Sequence, residues 1–122
     1  QRLAIGHMGC FAALPGLSAC VDFARCHPQP AVLLNLELSS LHLQPPPWDV
    51  EQFVVNSLFA DAAVAMVVEA ETDRPTKAGS TPLVLDLASH TDHAHEEHMT
   101  WEVGDLGFRM GLSSKIPDLI AA

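Results

Sequence analysis

Two groups of residues in this 122-residue chain have the types and spacing to do chemistry. The first is Met8-Gly9-Cys10-Phe11, a lone thiol after a glycine. It lies where a short apolar run, Leu3-Ala4-Ile5, gives way to a stretch with helical periodicity. The second is a polar run holding His90, Asp92, His93, His95, Glu96, Glu97 and His98. A thiol at a strand-to-helix corner suits nucleophilic chemistry. The turn carries the side chain beyond the sheet edge, and the helix N-terminus that follows offers free N–H groups and positive potential. Both favour a thiolate and can hold an oxyanion. Gly9 lacks the Cβ that would crowd an approaching acyl group. The same pattern fits a small, unreactive filler, because free cysteine is often simply buried. The local residues leave both readings open for Cys10. His7 is a poor local partner, since it sits on the segment that feeds the turn and catalytic Cys–His pairs usually meet from distant parts of a chain. Cys20 and Cys26 fall on the helix and read as structural.

The histidine-rich run offers ligands for a divalent metal. Its spacing does not fit a known zinc pattern. His95-Glu96-Glu97-His98 sets its histidines three apart, not the i, i+4 pair of H-E-x-x-H, and the inverted motif needs a histidine where Ala94 stands. The run reads as a solvated loop rather than a specific metal site.

Composition narrows the function classes. Hydrophobic residues make up 48% and charged residues 17%, a globular balance. The formal net charge is −9 with only six Lys and Arg, which argues against a nucleic-acid partner because phosphate binding needs a basic patch. Three cysteines with no C-x-x-C spacing argue against a disulfide framework and for a reducing, cytoplasmic setting. No run is long enough to span a membrane. A start at Gln1 and an end inside an apparent helix predict one partial domain, residues 1–122, cut at both ends.

The elements that must position these residues follow from periodicity. Residues 2–6 read as a strand, and 10–13 as the corner. Residues 14–26 read as a helix whose Leu17, Cys20, Val21 and Ala24 share a face, with Pro15 tolerated in its first turn. Residues 31–38 and 62–69 are mostly apolar and read as strands buried on both faces. Pro45-Pro46-Pro47 is a rigid connector. Asp49 is a helix N-cap with Gln52 three residues on, and Val50, Phe53, Val54, Ser57 and Leu58 share the face of the helix that follows. Trp48 and Phe53 read as core or dimer contacts. Glu37 reads as a hydrogen-bonded structural carboxylate on its buried strand, and Asp61 as the cap or brace of a turn. Residues 70–81 form a polar loop, 82–87 a strand, and 89–98 a loop. Residues 99–103 and 108–112 form a hairpin across 104–107. A last helix begins at 113, with Pro117 in its first turn. The order predicts an α/β fold with a mostly parallel sheet and flanking helices.

Four segments, in order, carry a resemblance to a known family. Met8-Gly9-Cys10-Phe11-Ala12-Ala13 resembles the nucleophile segment of the chalcone and stilbene synthases, the type III polyketide synthases. Leu36-Glu37-Leu38-Ser39-Ser40-Leu41-His42 resembles the family strand that ends in a glutamate followed by pocket residues. Asn56-Ser57-Leu58-Phe59-Ala60-Asp61-Ala62-Ala63-Val64-Ala65 resembles its "LFGDGAAA" stretch, with Ala62 in place of a glycine. Residues 101–110 and 112–117 resemble bacterial members near the active-site entrance.

The resemblance implies a layered, thiolase-like fold and a homodimer with no bound cofactor. Cys10 would accept a starter acyl group from an acyl-CoA. Decarboxylation of malonyl-CoA would supply the carbanion for a Claisen condensation, and repetition would give an aromatic or pyrone polyketide. Phe59 matches the gatekeeper phenylalanine beside the nucleophile, where an apolar face disfavours the malonyl carboxylate and helps expel CO₂. Ser39 and His42 match pocket positions, His42 replacing a smaller residue and so narrowing or polarising the cavity. Thr100 or Trp101 falls where the family sets cavity length. Met110, or Phe108 if the strand is shifted by one repeat, falls where a second gatekeeper aromatic sits. The family's catalytic histidine and asparagine have no match in these residues, Asn35 and Asn56 lying inside a strand and a helix. These 122 residues alone are therefore expected not to turn over. The alternatives are a ketoacyl synthase of fatty-acid type, which shares the fold and the nucleophile, and a folded but inactive fragment.

Overall fold

The computed structural model describes residues 2–71 and 81–121. The chain divides into two compact units, Gln1–Asn35 with Ala63–Ser89 and Leu36–Ala62 with His90–Ala122.

The first unit is built around helix α1, Ala13–Cys26, which a 3-10 turn over Gly9–Ala12 leads directly into. Pro15 sits in the first turn of α1, where its missing N–H costs nothing. Ala24 and Gly16 are buried, while Leu17, Cys20 and Val21 are half-buried beside them. Gly16 is the point of closest approach to strand β1, Ala31–Glu37. A Cβ at this position would stand 2.7 Å from the end of the Leu33 side chain. β1 pairs with strand β2, Ala62–Val68, in a two-stranded sheet.

The second unit is a helix docked on a hairpin. Helix α2, Val50–Leu58, starts at Asp49, whose Oδ1 accepts the Gln52 N–H at 2.7 Å. Strands β3, Met99–Gly104, and β4, Gly107–Leu112, pair antiparallel with Trp101 opposite Met110 and Val103 opposite Phe108. Their corner holds Asp105 and Leu106 at negative φ and Gly107 at φ +106°. It is therefore not a primed two-residue turn; Gly107 supplies the one left-handed residue, as in a turn closed by a glycine bulge. The carboxylates of α2 join helix to hairpin. Asp49 Oδ2 receives Arg109 Nη2 at 2.7 Å, and Glu51 Oε1 receives the Leu112 N–H at 2.7 Å. The short helix α3, Ile116–Ala121, follows with Pro117 in its first turn.

Several sequence expectations fail here, each for a physical reason. Residues 2–6 and 82–87 form no strand among the described residues, because neither segment finds a ladder partner for its backbone groups. The described residues make two two-stranded sheets, β1–β2 and β3–β4, the second antiparallel, and no larger sheet is seen among them. β1 is covered on one face only, so exposure alternates along it and Leu34 is 66% exposed. β2 is exposed along nearly all its length. Glu37, at the end of β1, is exposed rather than buried. On α2 the shared apolar face is the outward one. Gln52 and Val55 face inward, while Val50, Phe53, Val54 and Leu58 face out, and Trp48 is exposed as well. Part of 89–98 is not plain loop, since His93–His98 winds into 3-10 turns.

Asp49 serves both as cap and as ion-pair partner, so its loss should outweigh that of Arg109. Asp49→Ala is expected to lower stability by about 1–2 kcal/mol, the usual cost of losing a cap. Arg109→Ala should cost at most about 1 kcal/mol, as the Asp49–Arg109 pair is half-exposed. Urea denaturation of the two variants checks the order; equal losses would remove the capping role.

Candidate active site

Cys10 is the second residue of the turn before α1, exposed and with a free thiol. His7 at φ +61° and Gly9 at φ +55° reverse the chain twice in three residues, and this makes the corner. At Gly9 the requirement is the backbone angle. A Cβ there would meet nothing within 4 Å, but an L side chain disfavours that φ. Ala12, at the cap of α1, offers no side-chain acceptor, so no capping side chain occupies the first-turn N–H groups next to the thiol. A shallow groove beside the corner is lined by Phe11, Leu14, Pro15 and Ser18 and by residues 87–89. Cys20 is half-buried on α1, and Cys26 is exposed at its last residue.

The other predicted site residues lie in the second unit, where a short 3-10 turn, Ser39–His42, is held at both ends. Leu38, at its N-cap, gives no side-chain bond. Asp61 supplies the acceptor instead, from 21 residues away. Its Oδ1 takes the Ser40 N–H at 2.8 Å and its Oδ2 takes the Ser40 hydroxyl at 2.7 Å. Ser39 Oγ adds a longer bond, 3.4 Å, to the Ala60 carbonyl. These two hydrogen bonds from Ser40, side chain first and then backbone, hold the Asp61 carboxyl below its ordinary value of 3.8. Phe59 is half-buried just before this brace. It closes α2, donating its N–H to the Val55 carbonyl at 3.2 Å.

At the other end of the turn, His42 packs edge-on against Phe108 and Trp101, with ring centroids 5.1 and 6.3 Å away. Trp101 and Phe108 meet edge-to-face at 6.2 Å. Gln44 ties the same segment to the hairpin, its Nε2 donating to the Phe108 carbonyl at 3.0 Å. His42 Nδ1 is buried with no hydrogen-bond partner among the described residues, and Gly107 lies against it: a Cβ there would stand 3.6 Å away. The pleat sorts the remaining candidates. Trp101, Phe108 and Met110 share the hairpin face that meets His42, and Met110 is only 4% exposed. Thr100 lies on the opposite face, where a Cβ on Gly111 would run into its hydroxyl.

Ser39, His42, Trp101 and Phe108 thus gather in one unit with Phe59 and Met110, while Cys10 belongs to the other. Ser40 and Gln44 were missed from the sequence. The signal for Ser40 was its place beside Ser39, one acceptor short at the start of a turn. In the histidine-rich run, Asp92 accepts the Ala94 N–H and pairs with His95 at 2.7 Å, and both bonds, with His95 the larger cause, lower its carboxyl's pKa. His95 stacks on His98 at 5.8 Å, and among the described residues no three of these groups converge on one point as metal ligands. Among the described residues no helix is long and apolar enough to cross a membrane.

No family model matches the sequence. Individual proteins do. The 1,3,6,8-tetrahydroxynaphthalene synthase of Streptomyces peucetius is 31% identical over 98% of this chain and 32% of its own length. The phloroglucinol synthase of Pseudomonas fluorescens is 30% identical over 98% of this chain and 33% of its own length. Among solved structures, the C-terminal type III polyketide synthase domain of the Dictyostelium hybrid Steely1 superposes with a TM-score of 0.79 at 27% identity. It covers 98% of this chain and 32% of that one. The tetrahydroxynaphthalene synthase of Streptomyces coelicolor, a bacterial type III polyketide synthase, gives 0.76 at 26% identity, covering 95% and 32%. The chain therefore spans about a third of the length of the relatives it matches.

The lowered Asp61 carboxyl fixes the sign of an acid response. A group depressed on folding contributes above its unfolded pKa and loses that contribution as pH falls through the folded value. The Ser40 brace should hold at neutral pH and persist down to about pH 4, giving way only below Asp61's ordinary value of 3.8. The Ser40 amide proton shift followed against pH checks this; a midpoint at or above 3.8 would show that Asp61 is not held by Ser40.

Proposed function

We propose, from the chain's homology to about a third of a type III polyketide synthase, that a protein carrying it is a condensing acyltransferase of that kind. The observation behind it is whole-chain similarity to such enzymes, in sequence and in backbone, with an exposed free thiol at the corner before α1. The fold of the whole protein is then the layered, thiolase-like one, and the protein is a homodimer working in the cytoplasm without a bound cofactor or metal.

Cys10 is the nucleophile. Its sulfur attacks the carbonyl of a starter acyl-CoA, a thioester to Cys10 forms, and the CoA thiolate leaves. Sulfur suits both halves of the task, because a thiolate attacks readily and also departs readily. Malonyl-CoA then loses CO₂, leaving the C–C electron pair on its α-carbon. That carbon attacks the Cys10 thioester, a new C–C bond forms, and the Cys10 thiolate is released. Phe59 offers the malonyl carboxylate an apolar face, where the charged form is poorly solvated and neutral CO₂ is not. The turn Ser39–His42 and the face formed by Trp101, Phe108 and Met110 supply the residues that shape the product. Tetrahydroxynaphthalene and phloroglucinol, the products named for two relatives, are aromatic, and the crowded aromatic wall here suits a planar product of modest size.

Incubation with a starter acyl-CoA followed by peptide mapping tests the nucleophile. One acyl adduct is expected, on the peptide carrying Cys10, and none in Cys10→Ala. An adduct confined to Cys20 or Cys26, or loading from acyl-carrier protein but not from acyl-CoA, would overturn the reading.

A further inference from the structure

We propose that Asp61 is a positioning residue that sets the register between Phe59 and the Ser39–His42 turn, and through it the size of the product. The inference rests on the proposed condensing function and concerns a residue that touches neither substrate nor thiol.

The second unit is a closed ring of contacts. α2 leads into Phe59, whose N–H is fixed to the Val55 carbonyl. Two residues on, Asp61 grips Ser40 with both carboxylate oxygens. Two residues beyond Ser40, His42 packs into Trp101 and Phe108. The hairpin that carries those rings returns to α2 through Arg109 to Asp49 and the Leu112 N–H to Glu51. The Asp61–Ser40 pair is the link that spaces Phe59 from the turn. The Ser39–Ala60 bond alongside it is longer, at 3.4 Å. Leu38 provides no cap of its own, so without Asp61 the Ser40 N–H at the start of the turn loses its acceptor. Both Asp61 oxygens are engaged by Ser40, and among the described residues the carboxylate makes no ion pair. Its work is therefore geometric. Breaking the link leaves α2, the hairpin and their dock in place but frees the turn to shift against Phe59. A shift of that kind changes which chain length fits, while the groups that load and decarboxylate are untouched.

Asparagine has the same shape as aspartate. Its amide oxygen can accept the Ser40 N–H and its amide nitrogen can donate to the Ser40 hydroxyl, so it should rescue the register where alanine does not. The test compares Asp61→Ala, Asp61→Asn, Ser40→Ala and the Asp61→Ala/Ser40→Ala double variant of the synthase carrying this chain. Two readouts are taken: the ratio of polyketide products by length, and the hydrogen exchange of the Ser40 amide. Asp61→Ala should shift the product ratio by about threefold or more, the scale of weak coupling between touching residues. The rate of malonyl-CoA decarboxylation should stay near wild type. Asp61→Asn should keep the wild-type ratio, and the double variant should move no further than Asp61→Ala. Ser40 exchange should accelerate in Asp61→Ala and stay slow in Asp61→Asn. An unchanged product ratio in Asp61→Ala, or Asp61→Asn behaving as alanine, would overturn the assignment. So would unchanged Ser40 exchange in Asp61→Ala, each of these in a wild-type protein that turns over CoA thioesters. A wild-type protein that turns over none would overturn the functional reading, and this assignment with it.

Discussion

The second unit depends on one carboxylate at the start of α2. Asp49 caps the helix with one oxygen and holds Arg109 of the hairpin with the other, each at 2.7 Å. Glu51, one turn-position further, takes the Leu112 N–H and fixes the far end of β4. Capping is worth more than an exposed ion pair, so the helix start is the stronger half of this joint. Everything proposed for shaping the product is carried on it. β4 brings Phe108 and Met110, β3 brings Trp101 by pairing with β4, and the turn with His42 packs on the rings they present.

His42 shows how the same packing creates chemistry. An imidazole enclosed by two aromatic edges and the Gly107 backbone cannot satisfy Nδ1 from the described residues. Glycine suits position 107 through its φ of +106°, which L side chains rarely adopt; a Cβ there would meet the ring only in ordinary contact. The result is a cluster of three rings, His42, Trp101 and Phe108, meeting edge to face on one side of the hairpin.

The elements that were legible in the sequence are those whose signals are local. The Asp49 cap, the corner before α1, Pro15 and Pro117 in first turns, and the 99–112 hairpin all depend on neighbouring residues and were placed to within a residue or two. The family likeness was legible in four short segments, and comparison over the whole chain agrees with it. What was not legible depends on partners far along the chain. Residues 2–6 and 82–87 have strand-like composition but no ladder, and α2 exposes Phe53 while burying Gln52. Periodicity names an apolar face; it does not say what covers it. Which of Thr100 and Trp101 shares the face of Phe108 and Met110 also needed the register, because a shift of one residue exchanges the two faces of a strand. The Asp61–Ser40 brace joins residues 21 apart, and only half of it, the turn around Asp61, was visible beforehand.

Cys10 is proposed to carry the growing acyl chain. Carboxyl-labelled malonyl-CoA, supplied with an unlabelled starter acyl-CoA, measures it most directly through CO₂ release and product formation in wild type and Cys10→Ala. In the synthase carrying this chain, wild type should release one CO₂ for each two-carbon unit added, and Cys10→Ala should form no polyketide. Polyketide formation by Cys10→Ala at the wild-type rate would contradict it.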